Sequence, residues 1–202
     1  MKQISFGAEG SIFLTKNNTL LKIREPQAFR HPQLDLKIRK KRTKREIKVL
    51  EKLKEYNISA PHVISTNLDE CSFEMNKVEG KLLHECFSIN LIKKAIIQIA
   101  KMHLVGVVHS DLTPLNMIYN EFEDQIYLID FGLADFTTNR EDRAVDLNVF
   151  FTILENDYST IFDHKKELLD LYKEQFENKQ EVQEILERLE NVESRGRNKA
   201  KN

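Results

Sequence analysis

The sequence predicts an α+β chain of two lobes: a small antiparallel sheet with one long helix, then a reduced, mainly helical second half. Three observations lead there. Short β-rich stretches crowd the first part of the chain, an apolar repeat of mostly helical spacing covers residues 33–56, and helical periodicity dominates after Gly80. With 202 residues, 41% of them hydrophobic, the chain can fill a real core, enough for one bilobal body or two small domains.

Taken in order, Ile4 to Phe6 and Ser11 to Thr15 have strand character, and Asn17-Asn18 makes a tight turn into a third strand from Thr19 to Arg24. From Gln33 to Tyr56, Leu34, Ile38, Ile47, Leu50 and Leu53 mark a long helix that stops before Asn57 and the Ala60-Pro61 breaker. Val63 to Thr66 and Ser72 to Met75 add two strands, and Val78-Glu79-Gly80 closes the segment. Ser88 caps a helix carrying Ile92, Ile96, Ile99, Ala100 and Leu104, which Gly106 ends. Asn116 to Tyr119 and Ile126 to Ile129 bracket the turn-like Asn120 to Asp124 as a hairpin. Beyond Asp146, the groups Leu168, Leu171, Tyr172, Phe176 and Val182, Ile185, Leu186, Leu189 read as two final helices broken near Asn178. The expected boundaries are a first lobe over 1–76, a second over 77–193 that includes the connection, and a basic flexible tail over 194–202, which lacks an apolar anchor.

Net charge is −1, so the chain as a whole is not basic, yet residues 37–48 hold eight lysines and arginines against the single acid Glu46. Such a run is usually the solvated face of a helix, with contact to a partner or to RNA as the alternative. Cys71 and Cys86 are too few for a disulfide framework and form no C-x-x-C pattern, which suggests reduced thiols in a cytoplasmic protein. No run approaches the ~18 apolar residues of a membrane span, so no membrane association is expected.

The strongest chemical signal is His109-Ser110-Asp111-Leu112-Thr113-Pro114-Leu115-Asn116, followed by Asp130-Phe131-Gly132. Phosphoryl transfer needs an acid beside the incoming hydroxyl and oxygen ligands for a divalent metal, because positioning and charge neutralisation dominate its catalysis. Asp111 suits the first role; Asn116 and Asp130 suit the second. Their spacing matches the kinase patterns H-R-D-x-x-x-x-N and D-F-G. Turn-capping aspartates and a chance tripeptide are the plain alternative, but both parts occur in the right order. His109, Ser110 and Asp111 are adjacent and cannot form a hydrolase relay. Ser5 to Ile12 aligns with a glycine-rich phosphate loop, its first glycine replaced by Ser5, placing Gly7, Ala8, Glu9, Gly10 and Ile12 at a nucleotide. By itself it is no stronger than an ordinary glycine turn. Lys22, on the third strand, suits the phosphate-contacting lysine, with Arg24 on the same side as its competitor. Glu46 is the natural partner of that lysine, although Arg42 competes for it on the helix. Asp146 is expected to begin a helix and to bond the backbone of the Asp111 loop, with a plain helix-start aspartate as the alternative.

With these residues placed, the chain resembles the PRPK family, the small atypical kinase subunit of the KEOPS tRNA-modifying complex, from Phe6 to Arg197. The diagnostic stretch is Lys22 to Asp35, continuing through Arg42-Thr43-Lys44-Arg45-Glu46. Gly7 to Gly10, the hinge-like Met75 to Gly80 and Arg195-Gly196-Arg197 add to it. Gln27 stands where the family usually has Lys, Phe29 where it has Tyr, Gly10 where Ala is common and Ser110 where Gly is common. None of these removes a catalytic group. The resemblance implies a compact bilobal protein-kinase-like fold, ATP with Mg2+ or Mn2+, and Met75 and Val78 at the nucleotide. It also implies ATPase or autophosphorylating Ser/Thr kinase activity in support of tRNA threonylcarbamoylation. The partners implied are the threonylcarbamoyl-transferase subunit, another small KEOPS subunit on the first lobe, and tRNA through the basic tail and helix.

Thirteen residues separate Gly132 from Asp146 and none spells A-P-E, so a peptide-docking activation segment is missing. Thr113 also stands where protein kinases keep Lys, which further favours water or the chain itself as acceptor. A small-molecule kinase of aminoglycoside or sugar type shares the Asp111, Asn116 and Asp130 logic, but usually carries a larger helical insert. A non-catalytic pseudokinase scaffold would not need Lys22, Glu46, Asp111, Asn116 and Asp130 together.

Overall fold

A computed structural model describes residues 1–7 and 10–199. The first lobe is a five-stranded antiparallel sheet in the order β1-β2-β3-β5-β4, from β1 (Lys2–Gly7), β2 (Gly10–Leu14), β3 (Thr19–Ile23), β4 (Val63–Asn67) and β5 (Ser72–Asn76). Non-sequential pairing of β3 with β5 leaves room for helix α1 (Pro32–Glu55) to cross one face. Proline in its first turn starts α1 without losing a bond, since that N–H has no intrahelical partner. The inward face of α1 carries Ile47, Val49, Leu50 and Leu53, and also the polar Thr43 and Glu46. Most of its lysines lie on the other side. β5 ends at Asn76.

Gly80 marks the crossing to the second lobe. Its φ of +143° lies where L side chains are strained, and a Cβ there would overlap the carbonyl oxygen of Tyr119. Strand β6 (Lys81–Leu82) joins β8 (Met117–Asn120) and β9 (Gln125–Leu128) in a three-stranded sheet. Helix α2 (Ile89–Leu104) starts at Ser88, whose hydroxyl accepts from the Leu91 amide. A two-residue strand β7 (Val107–Val108) pairs with β10 (Asp135–Phe136). The lobe is completed by α3 (Arg140–Asp157), α4 (Ser159–Phe162), α5 (Lys165–Glu174) and α6 (Lys179–Lys199). One core runs through both lobes, from Leu50 and Phe73 through Ile92, Ile96, Phe131, Leu147 and Phe150 to Tyr172 and Leu189.

Two expectations need correction. Asp146 does not begin its helix: α3 starts at Arg140, where the Asn139 side chain accepts from the Glu141 amide and Glu141 and Asp142 supply first-turn acids. The sequence from Ser194 is not an irregular tail as far as it is described, because α6 continues to Lys199 and Arg195 pairs with Glu141 at 3.1 Å. Residues 200–202 lie outside the described residues. Cys71 and Cys86 are free thiols, and among the described residues no helix is long and apolar enough to cross a membrane.

Candidate active site

The site is assembled from β3, α1 and the two loops that flank the β8-β9 hairpin. Alternation along β3 turns Lys22 inward, where it is only 2% exposed. Its Nζ donates to Glu46 Oε1 at 2.7 Å and to Asp130 Oδ1 at 2.7 Å. Burial acts most strongly on this ammonium, pulling it down, but the charges of Glu46 and Asp130 together hold it above the usual lysine range. Glu46 is not a private partner. Arg24 Nη2 reaches its other oxygen at 2.6 Å, so one buried carboxylate serves two cations. The strand alternation had already put Arg24 on the side of Lys22; what it left out was α1 passing close enough for both to share Glu46. Arg42, the competitor expected on the helix, has interactions of its own.

Asp130 follows β9 in a left-handed conformation, φ +60°, and its Oδ1 also accepts from the Gly132 amide at 3.3 Å. Burial pushes its carboxyl up, yet the Lys22 charge and hydrogen bond and the Gly132 amide together hold it below the usual range. Phe131 is buried beneath it and lies against the His109 ring, with centroids 4.9 Å apart. His109 Nε2 sits 2.9 Å from the Ile129 carbonyl and must be the protonated nitrogen, because a carbonyl only accepts. His109 therefore ties the Asp111 loop to the segment entering Asp130, a structural role.

Asp111 is exposed, beside the cleft-lining Asn116. Asn116 Nδ2 donates to the Asp111 backbone oxygen and to Asp111 Oδ2, both at 2.8 Å, leaving the Asn116 amide oxygen as its remaining acceptor. The loop is held from beneath by Asp146, which is 1% exposed. Asp146 Oδ2 accepts from the His109 amide at 2.6 Å and Oδ1 from the Ser110 amide at 2.7 Å. His103 Nε2 lies 3.3 Å from Oδ2, and Tyr172 Oη lies 2.8 Å from His103 Nδ1. Burial pulls His103 down against the influence of Asp146, so the ring is neutral, with Nε2 protonated and Nδ1 accepting from Tyr172. Burial pushes Asp146 up, but the His103 bond and charge and the His109 contacts hold it below the usual range.

Between the lobes lies a cavity of about 390 Å³. Ile12, Leu20, Met75, Val78, Ile118 and Ile129 give it apolar walls, while Lys22, Asn116 and Asp130 supply its polar groups. Apolar walls with a few convergent polar groups suit a flat base carrying a charged tail. Gly7 and Gly10 close the β1-β2 hairpin, and a Cβ on Gly10 would stand 2.6 Å from the Ile23 carbonyl oxygen. Ala8 and Glu9, expected at the tip of that loop, lie outside the described residues. Among the described residues no group of three or more His, Cys, Asp or Glu could hold a metal ion by itself. The donor set fits a magnesium-like ion that takes one or two protein oxygens and completes its shell with phosphates and water. A larger, open hollow of about 770 Å³ lies elsewhere, over the basic face of α1, and includes none of the phosphoryl-transfer residues.

Residues 1–159 match the family described as protein kinase domain. The chain is 33% identical to the KEOPS complex subunit Bud32 of Pyrococcus abyssi, over 98% of this chain and 96% of that one. It is 41% identical to the EKC/KEOPS complex subunit BUD32 of Encephalitozoon cuniculi, over 71% of this chain and 73% of that one. It is 35% identical to a probable bifunctional tRNA threonylcarbamoyladenosine biosynthesis protein of Methanobrevibacter smithii, over 96% of this chain but 36% of that protein. The chain thus spans about a third of the bifunctional relative and nearly all of the archaeal single-subunit one. A family match over most of its length, and relatives aligned along nearly all of it, show that the chain belongs to the protein kinase domain family and, within it, to the Bud32 branch.

Proposed function

We propose that the chain is the atypical serine/threonine kinase and ATPase subunit of a KEOPS-type complex, supporting threonylcarbamoyladenosine modification of tRNA in the cytoplasm. The observation that carries the reading is Lys22 bridging Glu46 and Asp130 at 2.7 Å each, beside Asn116 bonded to Asp111. Magnesium-ATP, or manganese in its place, would supply the transferable phosphoryl group. Ile12, Leu20, Met75 and Val78 would flank the base, and the Gly7 to Gly10 turn would approach the phosphates. Lys22 neutralises phosphate oxygens, fixed in position by Glu46. Asn116 and Asp130 are the residues whose oxygens would hold the metal ion, which would neutralise phosphate charge. Asp111, oriented by Asn116, positions the attacking hydroxyl or water and accepts its proton.

Only residues 133–139 separate Gly132 from α3, and β10 within them is paired to β7. A segment that short leaves no platform for a foreign peptide, which favours water or the chain itself as acceptor. The test is ATP turnover with and without the threonylcarbamoyl-transferase subunit and tRNA, for the native chain and for Asp111→Ala and Asp130→Ala. Turnover that survives both substitutions defeats the site, and peptide phosphorylation outpacing hydrolysis defeats the acceptor.

The partners we propose are that transferase subunit, a further small KEOPS subunit on the first lobe, and tRNA. The hollow over α1 favours an RNA contact there: Lys37, Lys40, Lys41, Lys44 and Lys48 line it together with the half-exposed Phe136. Lysines suit a phosphate backbone and an aromatic ring suits an unstacked base.

A further inference from the structure

We infer a second anion site, for a small phosphate-type oxyanion, in the arginine cluster between the end of β3 and the first turns of α1. Arg24 is 4% exposed, and its Nε and Nη1 are buried with no hydrogen-bond partner among the described residues. Only its Nη2 is used, on Glu46. A buried donor left without an acceptor is costly, and native structures rarely tolerate one without reason. No nearby carboxylate among the described residues bonds those two nitrogens, although Asp35 Oδ1 is itself buried without a hydrogen-bond partner. Glu46 divides its oxygens between Lys22 and Arg24. Asp35 accepts from Arg39 Nε at 2.6 Å and lies 3.6 Å from Arg30 Nη1. Arg39 Nη1 closes the cluster onto the Arg24 backbone oxygen at 3.1 Å.

Arg24, Arg30 and Arg39 line a cavity separate from the cleft, bounded also by Gly10, Glu25, Gln27, Ile38 and Arg42. Its volume, about 20 Å³, admits one oxygen-sized atom and no more. A tetrahedral oxyanion fits that shape. One oxygen enters to Arg24, and the others stay outside, within reach of Arg30 and Arg39, whose side chains keep 29% and 13% of their surface. Guanidinium donors match such oxygens in geometry and charge. Glu25, already bonded by the Ser11 hydroxyl, narrows the entrance against bulkier anions. The site stands independently of the nucleotide reading. It touches the cleft all the same, because Arg24 and Lys22 share Glu46, so an occupant of one site changes the field in the other.

The test is a titration of the full chain with inorganic phosphate and, separately, with N-acetyl-phosphoserine amide, following the arginine Nε–H resonances by NMR. Saturable movement of the Arg24 resonance is expected. Arg30→Gln should weaken binding roughly tenfold or more, the worth of one charge-assisted hydrogen bond, while Lys41→Gln on the other basic surface changes it by less than about twofold. Arg24→Lys, which keeps the Glu46 pair, should abolish it. Tighter binding of the phosphoserine compound assigns the site to a side-chain phosphate, and tighter binding of phosphate assigns it to the free ion. An unmoved Arg24 resonance, equal weakening by Lys41→Gln, or the same response to chloride at matched ionic strength would overturn the inference.

Discussion

Replacing Asp146 with asparagine tests how the Asp111 loop is held. Both carboxylate oxygens accept backbone N–H groups, His109 on one and Ser110 on the other, in a position that is 1% exposed. Asparagine has one acceptor oxygen, so whichever way its amide is turned, an NH2 faces a backbone N–H. One charge-assisted bond is lost and one buried donor is stranded, a cost of about 3 kcal/mol, a large part of the ~5–15 kcal/mol that holds a typical domain together. Urea unfolding should show that loss, and the melting temperature should fall by roughly 10 °C. The acid limb carries a second signature. Because the folded Asp146 carboxyl lies below its unfolded value, its contribution is fully present above a pH of about 3.9 and disappears as pH falls through the folded value. The asparagine variant should lack that part of the acid dependence, and ATP turnover should fall with loop order. A loss below about 1 kcal/mol, with the acid limb unchanged, would refute the reasoning.

Glu46→Gln removes a carboxylate shared by two buried cations and should cost about 3–5 kcal/mol in chemical unfolding, far more than an exposed glutamate on α1. Tyr172→Phe takes the donor from His103 Nδ1 and should cost about 1–2 kcal/mol by the same measurement. His103 is neutral when folded, so its share of stability is present above a pH of about 6.5 and is lost as pH falls from there. A His103→Gln variant should flatten that limb of a pH-stability curve. Ser110 has φ +65°, which glycine adopts without strain. Ser110→Gly should therefore stay within about 1 kcal/mol of native or exceed it, while Ser110→Val should lose at least that much in thermal melts. On the proposed RNA contact over α1, changing Lys37, Lys41 and Lys44 to Gln together should lower the log-log salt slope of tRNA binding by roughly 2, at ~0.7 per single-strand phosphate contact, in a filter-binding assay, and an unchanged slope would defeat that contact.

The parts of the site that were legible in the sequence are those whose chemistry fixes a local spacing. Asp111 and Asn116 lie on one loop, and Asp130 follows the hairpin that the loop opens, so motif and secondary structure point the same way. Lys22 followed from strand alternation, and Glu46 from being a lone acid on a basic helix. The sharing of Glu46 with Arg24 depends on how α1 crosses the sheet, which no local pattern encodes. The start of α3 was missed because Arg140-Glu141-Asp142-Arg143 shows no apolar period, although Asn139 followed by two acids is a readable capping signal. Strands β7 and β10 are two residues each, too short for alternation to register. The helix beyond Ser194 has little apolar content to announce it and simply continues α6.

The same geometry bears on where control of the site would act. The segment after Gly132 is pinned rather than free: Asp135 and Phe136 pair with Val108 and Val107, the Thr137 amide donates to the Gly106 carbonyl at 2.8 Å, and Asp135 binds Arg45 at 2.5 Å. A segment so short and so fully bonded has little slack to swing in and out of the cleft as a regulatory loop. Arg45 and Glu46 are neighbours on α1, one holding this segment and the other holding Lys22. A polyanion seated on the lysines of α1 would compete with Asp135 for Arg45, and any shift of that helical turn carries Glu46 with it. Control from outside the chain, through the basic face of α1, is therefore the route the bonding pattern favours.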